Sequence, residues 1–142
     1  MLDRVIFQGI LFSSLLMAAS YTDIKKRVIP DAIPMLMALI SLLNFKLSNQ
    51  FGIVIGLPFL ISALLVEGSI GGGDIKLAGS AGMVLGFWKG IYGLILGLSF
   101  LVLFYLLLIL GSKIRKRQVV RNISLPLAPF LGIGFMIIYF IT

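Results

Sequence analysis

Six apolar runs separated by short polar segments make up most of this chain of 142 residues. Apolar residues contribute 60% of the sequence and charged residues 12%, with a mean hydropathy of +1.15. A soluble domain holds roughly 45–50% apolar residues, so this composition excludes one, and it excludes intrinsic disorder. A bilayer-spanning helix uses about 20 residues, and we therefore predict one all-α membrane domain, residues 1–142, in a compact bundle. The runs cover residues 5–22, 32–47, 51–66, 75–88, 89–111 and 123–141.

The basic residues predict how this bundle is oriented, because cytoplasmic loops are enriched in lysine and arginine. With six spans, nine basic residues fall on one side and three (Arg4, Lys46 and Lys89) on the other. Without the weak fourth span the split is 5 against 7, and the bias disappears. We therefore predict six spans, with both termini outside the cytoplasm and loops 23–31, 67–74 and 112–122 inside it.

Two of the runs have unusual features. The fourth carries glycine at 79, 82 and 86, which suits a helix packed closely inside the bundle. The first has an alternative as a secretory signal ending at Ala18-Ala19-Ser20. The segment before it has no net positive charge, and cleavage would leave the basic triplet 25–27 outside, so we favour a span.

The chain has five acidic residues, and two of them lie where a predicted span meets the cytoplasmic interface. Asp23 follows the first run and Asp74 precedes the fourth, whereas Asp3 is a solvated end residue. A carboxylate at this depth is costly unless it is paired or functional. The structural alternatives are a salt bridge from Asp23 to the triplet 25–27 and a helix cap formed by Asp74. Their common side and depth favour a functional pair.

The composition limits the chemistry that such a pair could perform. The sequence contains neither cysteine nor histidine, which excludes Ser-His and Cys-His nucleophiles and histidine-bound zinc. Two close carboxylates share a proton and titrate as a unit. The ionised acid can then deprotonate water while its protonated partner donates to a peptide carbonyl. Asp23 and Asp74 are thus candidates for peptide hydrolysis without cofactor or metal.

Other polar residues surround these two aspartates in the sequence. Asp31 follows Pro30, which ends regular helix, and we expect it to cap the second span. Glu67 ends the third span and is expected to be structural, while Lys76 could neutralise charge, contact substrate or anchor its helix. The glycines 71–73 allow close approach of another backbone. They do not form a phosphate loop, because aspartate follows them instead of lysine.

Two motifs resemble a known family. The segments Asp23-(x)5-Ile29-Pro30-Asp31 and Gly71-x-Gly73-Asp74-x-Lys76-Leu77 resemble the two signatures of type IV prepilin peptidases, which are GxGD-type membrane aspartyl proteases. The proline-rich tail 125–131 is similar to that family's last span. The resemblance implies that Asp23 and Asp74 are the catalytic pair. It also implies prepilin-like or preflagellin-like substrates, whose short basic leader is cut ahead of an apolar helix at the cytoplasmic face of a prokaryotic inner membrane.

The resemblance also suggests which neighbours serve the site. Scaffold or substrate-contact roles are expected for Gly71, Gly72, Gly73, Lys76, Pro30, Asp31 and Glu67. Larger members of the family carry a cysteine-containing cytoplasmic insert and methylate the new amino terminus. This sequence has no cysteine and no space for the insert, so we expect a peptidase-only form without methyl transfer.

Other functions remain as alternatives. Buried carboxylates and glycine-interrupted helices also occur in proton- or cation-coupled transporters, and the acids of a non-enzymatic scaffold would only cap helices. The net charge of +7 is typical of topology signals and lipid contact more than of nucleic-acid binding. We expect the basic segment 113–121 to hold anionic lipid. The oligomeric state is not predicted.

Overall fold

The computed structural model describes residues 2–115 and 124–142, and within them it contains six helices and no strand. The predicted all-α bundle is therefore confirmed, while the side on which each terminus lies stays a prediction. Most of the basic segment 113–121 and the start of the sixth predicted span lie outside the described residues. The helices are α1 (Leu2–Lys26), α2 (Ala32–Asn44), α3 (Leu47–Leu65), α4 (Gly72–Leu85), α5 (Phe87–Ile114) and α6 (Ala128–Ile141).

The helices fall into two classes by length. Helices α1, α3 and α5 have 25, 19 and 28 residues and are long and apolar enough to cross a membrane. Helix α3 reaches this length with 3-10 geometry over Phe51–Gly56. Helices α2, α4 and α6 are shorter, so the crossing of all six remains a prediction.

Helix α4 lies at the centre of the bundle, where it packs on α2, α3, α5 and α6. The glycine pattern of the fourth run predicts this position. A Cβ atom at Gly82 would collide with the backbone of Gly52 in α3, and a Cβ atom at Gly52 would collide with Gly82. The two backbones touch because neither residue carries a side chain.

The boundary between the fourth and fifth runs differs from the predicted one at 88/89. Helix α4 ends at Leu85 and α5 begins at Phe87, so Gly86 alone connects them. Gly86 has a φ of +86°, a conformation that L side chains rarely adopt. At its other end α4 begins at Gly72, three residues earlier than predicted, and Asp74 therefore lies inside its first turn.

A buried polar cluster joins α1, α2 and α6 at the end of the bundle where α1 begins. Gln8 Nε2 donates to the Ile40 carbonyl at 2.9 Å, and Asn44 Nδ2 donates to Gln8 Oε1 at 2.8 Å. The Tyr139 hydroxyl donates to the Val5 carbonyl at 2.8 Å. Asp23 lies 15 residues further along α1, about 22 Å from Gln8 at 1.5 Å per residue.

Candidate active site

Asp23 is held at the far end of α1 by the start of α6. Its side chain is only 7% exposed, and its Oδ2 accepts a hydrogen bond of 3.0 Å from the backbone N–H of Ala128. The first N–H groups of a helix have no partner within it, so the carboxylate satisfies one of them. Among the residues described, no ion pair joins Asp23 to the basic triplet 25–27. The structure therefore does not support a salt bridge as the role of Asp23.

Asp74 occupies the third position of α4, and its side chain does not act as the helix cap. The residue at the cap position is Gly71, whose carbonyl accepts a 3.1 Å hydrogen bond from the Asp74 N–H. Asp74 Oδ1 is buried and has no hydrogen-bond partner in the described part of the chain. Both structural alternatives for the two aspartates are thus disfavoured.

The surroundings of Asp74, which include the charge of Asp23, favour its neutral form. Asp74 lies at the end of α4, ahead of the predicted span 75–88. Burial, and then the negative charge of Asp23, raise the pKa of Asp74 from its ordinary 3.8 to about 6. A like charge has this effect only when it lies nearby. The fold therefore brings together two acids that are 51 residues apart in the sequence.

The two sequence motifs touch through Ile29 and Gly73. Ile29 is buried between α1 and α2, and a Cβ atom at Gly73 would lie 2.9 Å from its Cβ and 3.4 Å from its carbonyl oxygen. Any side chain at position 73 would therefore force the start of α4 and the segment around Ile29 apart. This close contact sets where Asp74 lies relative to α1. Pro30, the neighbour of Ile29, is exposed.

Asp31 pairs with Lys76, and its predicted capping role is wrong. It occupies the cap position of α2, but its side chain makes no capping hydrogen bond. Its Oδ1 instead accepts a 2.8 Å hydrogen bond from Lys76 Nζ, an ion pair that links α2 to α4. The pair is exposed, so its contribution to stability is at most about 1 kcal/mol. Of the three roles considered for Lys76, the structure favours charge neutralisation.

The remaining predicted site residues lie in the segment before α4 and at its first residue. Glu67 is exposed in the turn after α3 and forms no hydrogen bond or ion pair within the described ranges. Gly71 and Gly72 are also exposed, and a Cβ atom at Gly72 would meet nothing within 4 Å. A Cβ atom at Gly71 would lie 3.6 Å from Asp74 Oδ2. Gly72 thus borders open space at the start of α4, and Gly71 lies against the Asp74 side chain.

One contact at the site was not expected from the sequence. The Ala128 N–H that holds Asp23 is a backbone group 105 residues away. The nearest sequence signal is the proline on either side of it, since proline is favoured at the start of a helix. Within the described residues, no cluster of three potential metal-binding side chains occurs.

Comparison with known proteins assigns the chain to a family. The sequence profile of the type IV leader peptidase family matches residues 10–112, a range that includes both aspartates. A prepilin leader peptidase/N-methyltransferase of Bacillus subtilis (strain 168) is 32% identical in an alignment of 150 positions covering 94% of this chain. The chain belongs to the type IV leader peptidase family. No solved structure matches it significantly.

Membership of the type IV leader peptidase family confirms the resemblance drawn from the two aspartate motifs. The several apolar helices and the family together fit a multi-pass membrane protein. The alignment covers 55% of the Bacillus relative, so the chain spans about half of that protein's length. The leader peptidase and N-methyltransferase activities in the relative's name therefore describe the Bacillus protein.

Proposed function

We propose that this type IV leader peptidase is an aspartyl endopeptidase. In this proposal it removes the short basic leader of prepilin-like or preflagellin-like proteins at the cytoplasmic face of the inner membrane. The observation that carries the proposal is the state of Asp74: its Oδ1 is buried without a partner among the described residues, and burial and then the charge of Asp23 raise its pKa to about 6.

The two acids have different surroundings, which suggests different roles. Asp74 is assigned the acid role, because its raised pKa increases the protonated fraction, to about one molecule in ten at pH 7. Asp23 is oriented by the Ala128 N–H and serves as the base. It takes a proton from water while the water oxygen attacks the scissile carbonyl, and Asp74 donates its proton to the carbonyl oxygen. The C–N bond then breaks as the leaving amine takes the proton from Asp23, while one hydroxyl of the intermediate returns a proton to Asp74 and becomes the carbonyl of the new carboxyl group.

The substrate must reach this site from the side of the bundle. In the proposal its leader stays in the cytoplasm and its apolar helix lies in the membrane, which brings the scissile bond to the depth of the two aspartates. The open space around Gly71 and Gly72 would admit an extended backbone beside Asp74. A basic leader is not attracted by a net charge of +7, so local acidic groups must guide it.

Co-expression with a candidate prepilin tests this function. We expect the wild-type chain to shorten the prepilin by its leader, and the double variant Asp23→Asn, Asp74→Asn to leave it at full length. Immunoblotting would measure substrate size, and a tag on the chain would verify equal membrane insertion. Cleavage that persists with the double variant would contradict the proposal, and ion flux without cleavage would favour the transporter alternative.

A further inference from the structure

An apolar groove runs along the outside of the bundle between α2 and α3. Both helices pack on α4 but make no extensive contact with each other, which leaves a cavity of about 510 Å³. Helix α4 forms its floor and the other two helices form its walls. Residues on the floor include Ile75, Gly79 and Met83, and residues on the walls include Met35, Ala38 and Leu60.

The groove begins beside the candidate active site. Ile75, on its floor, directly follows Asp74, and the floor continues along α4 to Met83. Nine residues of helix separate Asp74 from Met83, which corresponds to about 13 Å at 1.5 Å per residue. A docked helix commonly anchors through side chains at positions i, i+3, i+4 and i+7, which span about 10 Å. The groove is therefore long enough for one such set of anchors.

Charge is confined to the active-site end of this groove. Asp31 and Lys76 line it there, and the other lining residues are uncharged. The Asp31 side chain is 68% exposed, and its ion pair with Lys76 is therefore weak and open to exchange. A cation entering at this end could replace Lys76 as the partner of Asp31. The groove thus fits an apolar helix preceded by a basic residue.

We propose that the groove between α2 and α3 binds the apolar helix of the substrate, with a basic leader residue beside Asp31. This inference rests on the proposed function and adds the surface that recognises the substrate. The helix then starts at the level of Asp74, and the bond just ahead of it reaches the two aspartates. Binding along the groove sets the position of the cut.

A pair of neighbouring variants tests the groove. Ala38→Phe places a ring inside it, whereas Leu39→Phe adds a ring one residue along α2 at a side chain that is 60% exposed and outside the groove. We expect Ala38→Phe to lower kcat/KM for a full-length prepilin by about tenfold or more, as loss of a central anchor does. Leu39→Phe should leave it unchanged. A truncated substrate without the apolar helix should be cut equally by both variants.

Photocrosslinking provides a second measurement that does not depend on turnover. A benzoylphenylalanine replaces Met35, 67% exposed on the groove wall, or Leu39, in an Asp74→Asn background chosen to prevent turnover. We expect crosslinks to the apolar helix of the prepilin from position 35 and not from position 39. Crosslinks from position 35 only to lipid or to a second copy of the chain would overturn the inference.

The outcomes separate this inference from the proposed function. If the wild-type chain cuts no prepilin, the proposed function fails. If it cuts the prepilin and Ala38→Phe cuts equally fast, the groove inference fails while the proposed function stands. If Ala38→Phe lowers kcat/KM equally for the full-length and the truncated substrate, the inference is also overturned. A docking surface affects only the substrate that carries the helix.

Discussion

Replacing either Asp23 or Asp74 by asparagine is expected to slow leader cleavage by at least about a thousandfold, and replacing both is expected to cost little more. Each acid has a distinct task in the same step, so the loss of one leaves the other without a partner. Asparagine keeps the size of the side chain but cannot accept the proton from water or donate one as an acid. Residues that act as a unit are therefore strongly non-additive.

Single-turnover rates in membranes, with substrate and enzyme embedded together, would measure this effect. Asp3→Asn is the matched control, since Asp3 is an exposed carboxylate at the start of α1. It should retain the wild-type rate. If the losses from the two single variants instead multiply in the double variant, the two carboxylates act in separate steps and the dyad mechanism is wrong.

Gly73→Val is expected to reduce cleavage by about a hundredfold while the protein still inserts into the membrane, because misplacing a catalytic group by about 1 Å has an effect of this size. The first atom of any side chain at 73 would lie 2.9 Å from the Ile29 Cβ, so α4 must shift and carry Asp74 with it. Gly73→Ala adds only that atom, and its cleavage rate should lie between the rates of Gly73→Val and the wild type.

The control for this series is Gly111→Val in α5, where an added Cβ atom would meet nothing within 4 Å. Cleavage rates normalised to the amount of inserted protein would separate lost geometry from lost protein. Gly72→Val is also informative, because its Cβ atom would meet nothing in the chain within 4 Å but would enter the open space at the start of α4. A wild-type rate for Gly73→Val would show that the contact with Ile29 does not set the position of Asp74.

Much of the fold follows from the sequence, because apolar runs of this length report helices directly. Each of the six runs corresponds to a helix, and the glycine pattern of the fourth predicts its central position. The sequence misplaces the boundary at Gly86, because hydropathy is continuous across it and only the positive φ of one glycine divides the two helices. The sequence also predicts that glycines 71–73 belong to a loop, whereas α4 begins at Gly72.

The site was less predictable where it depends on contacts between distant segments. The sequence places Asp23 and Asp74 near each other, because the topology puts both at the same end of the bundle. It does not reveal that Asp31 turns away from its own helix toward Lys76, 45 residues later. Nor does it reveal the Ala128 N–H, since every residue except proline carries such a donor and only packing selects one.

The central claim is that Asp23 and Asp74 face each other, and thiol crosslinking in the membrane tests it most directly. The chain has no cysteine, so an Asp23→Cys, Asp74→Cys variant carries the only two thiols. Asp31→Cys, Lys76→Cys is the positive control, because those side chains meet at 2.8 Å. Asp23→Cys, Lys46→Cys is the negative control, since Lys46 follows Asn44 of the polar cluster, about 20 Å from Asp23.

A short bifunctional thiol reagent is expected to crosslink the 23/74 pair as efficiently as the 31/76 pair, and to leave the 23/46 pair unlinked. The yield is read by mass spectrometry of the intact protein. A 23/74 yield equal to that of the 23/46 pair, with the 31/76 pair crosslinked normally, would contradict the account.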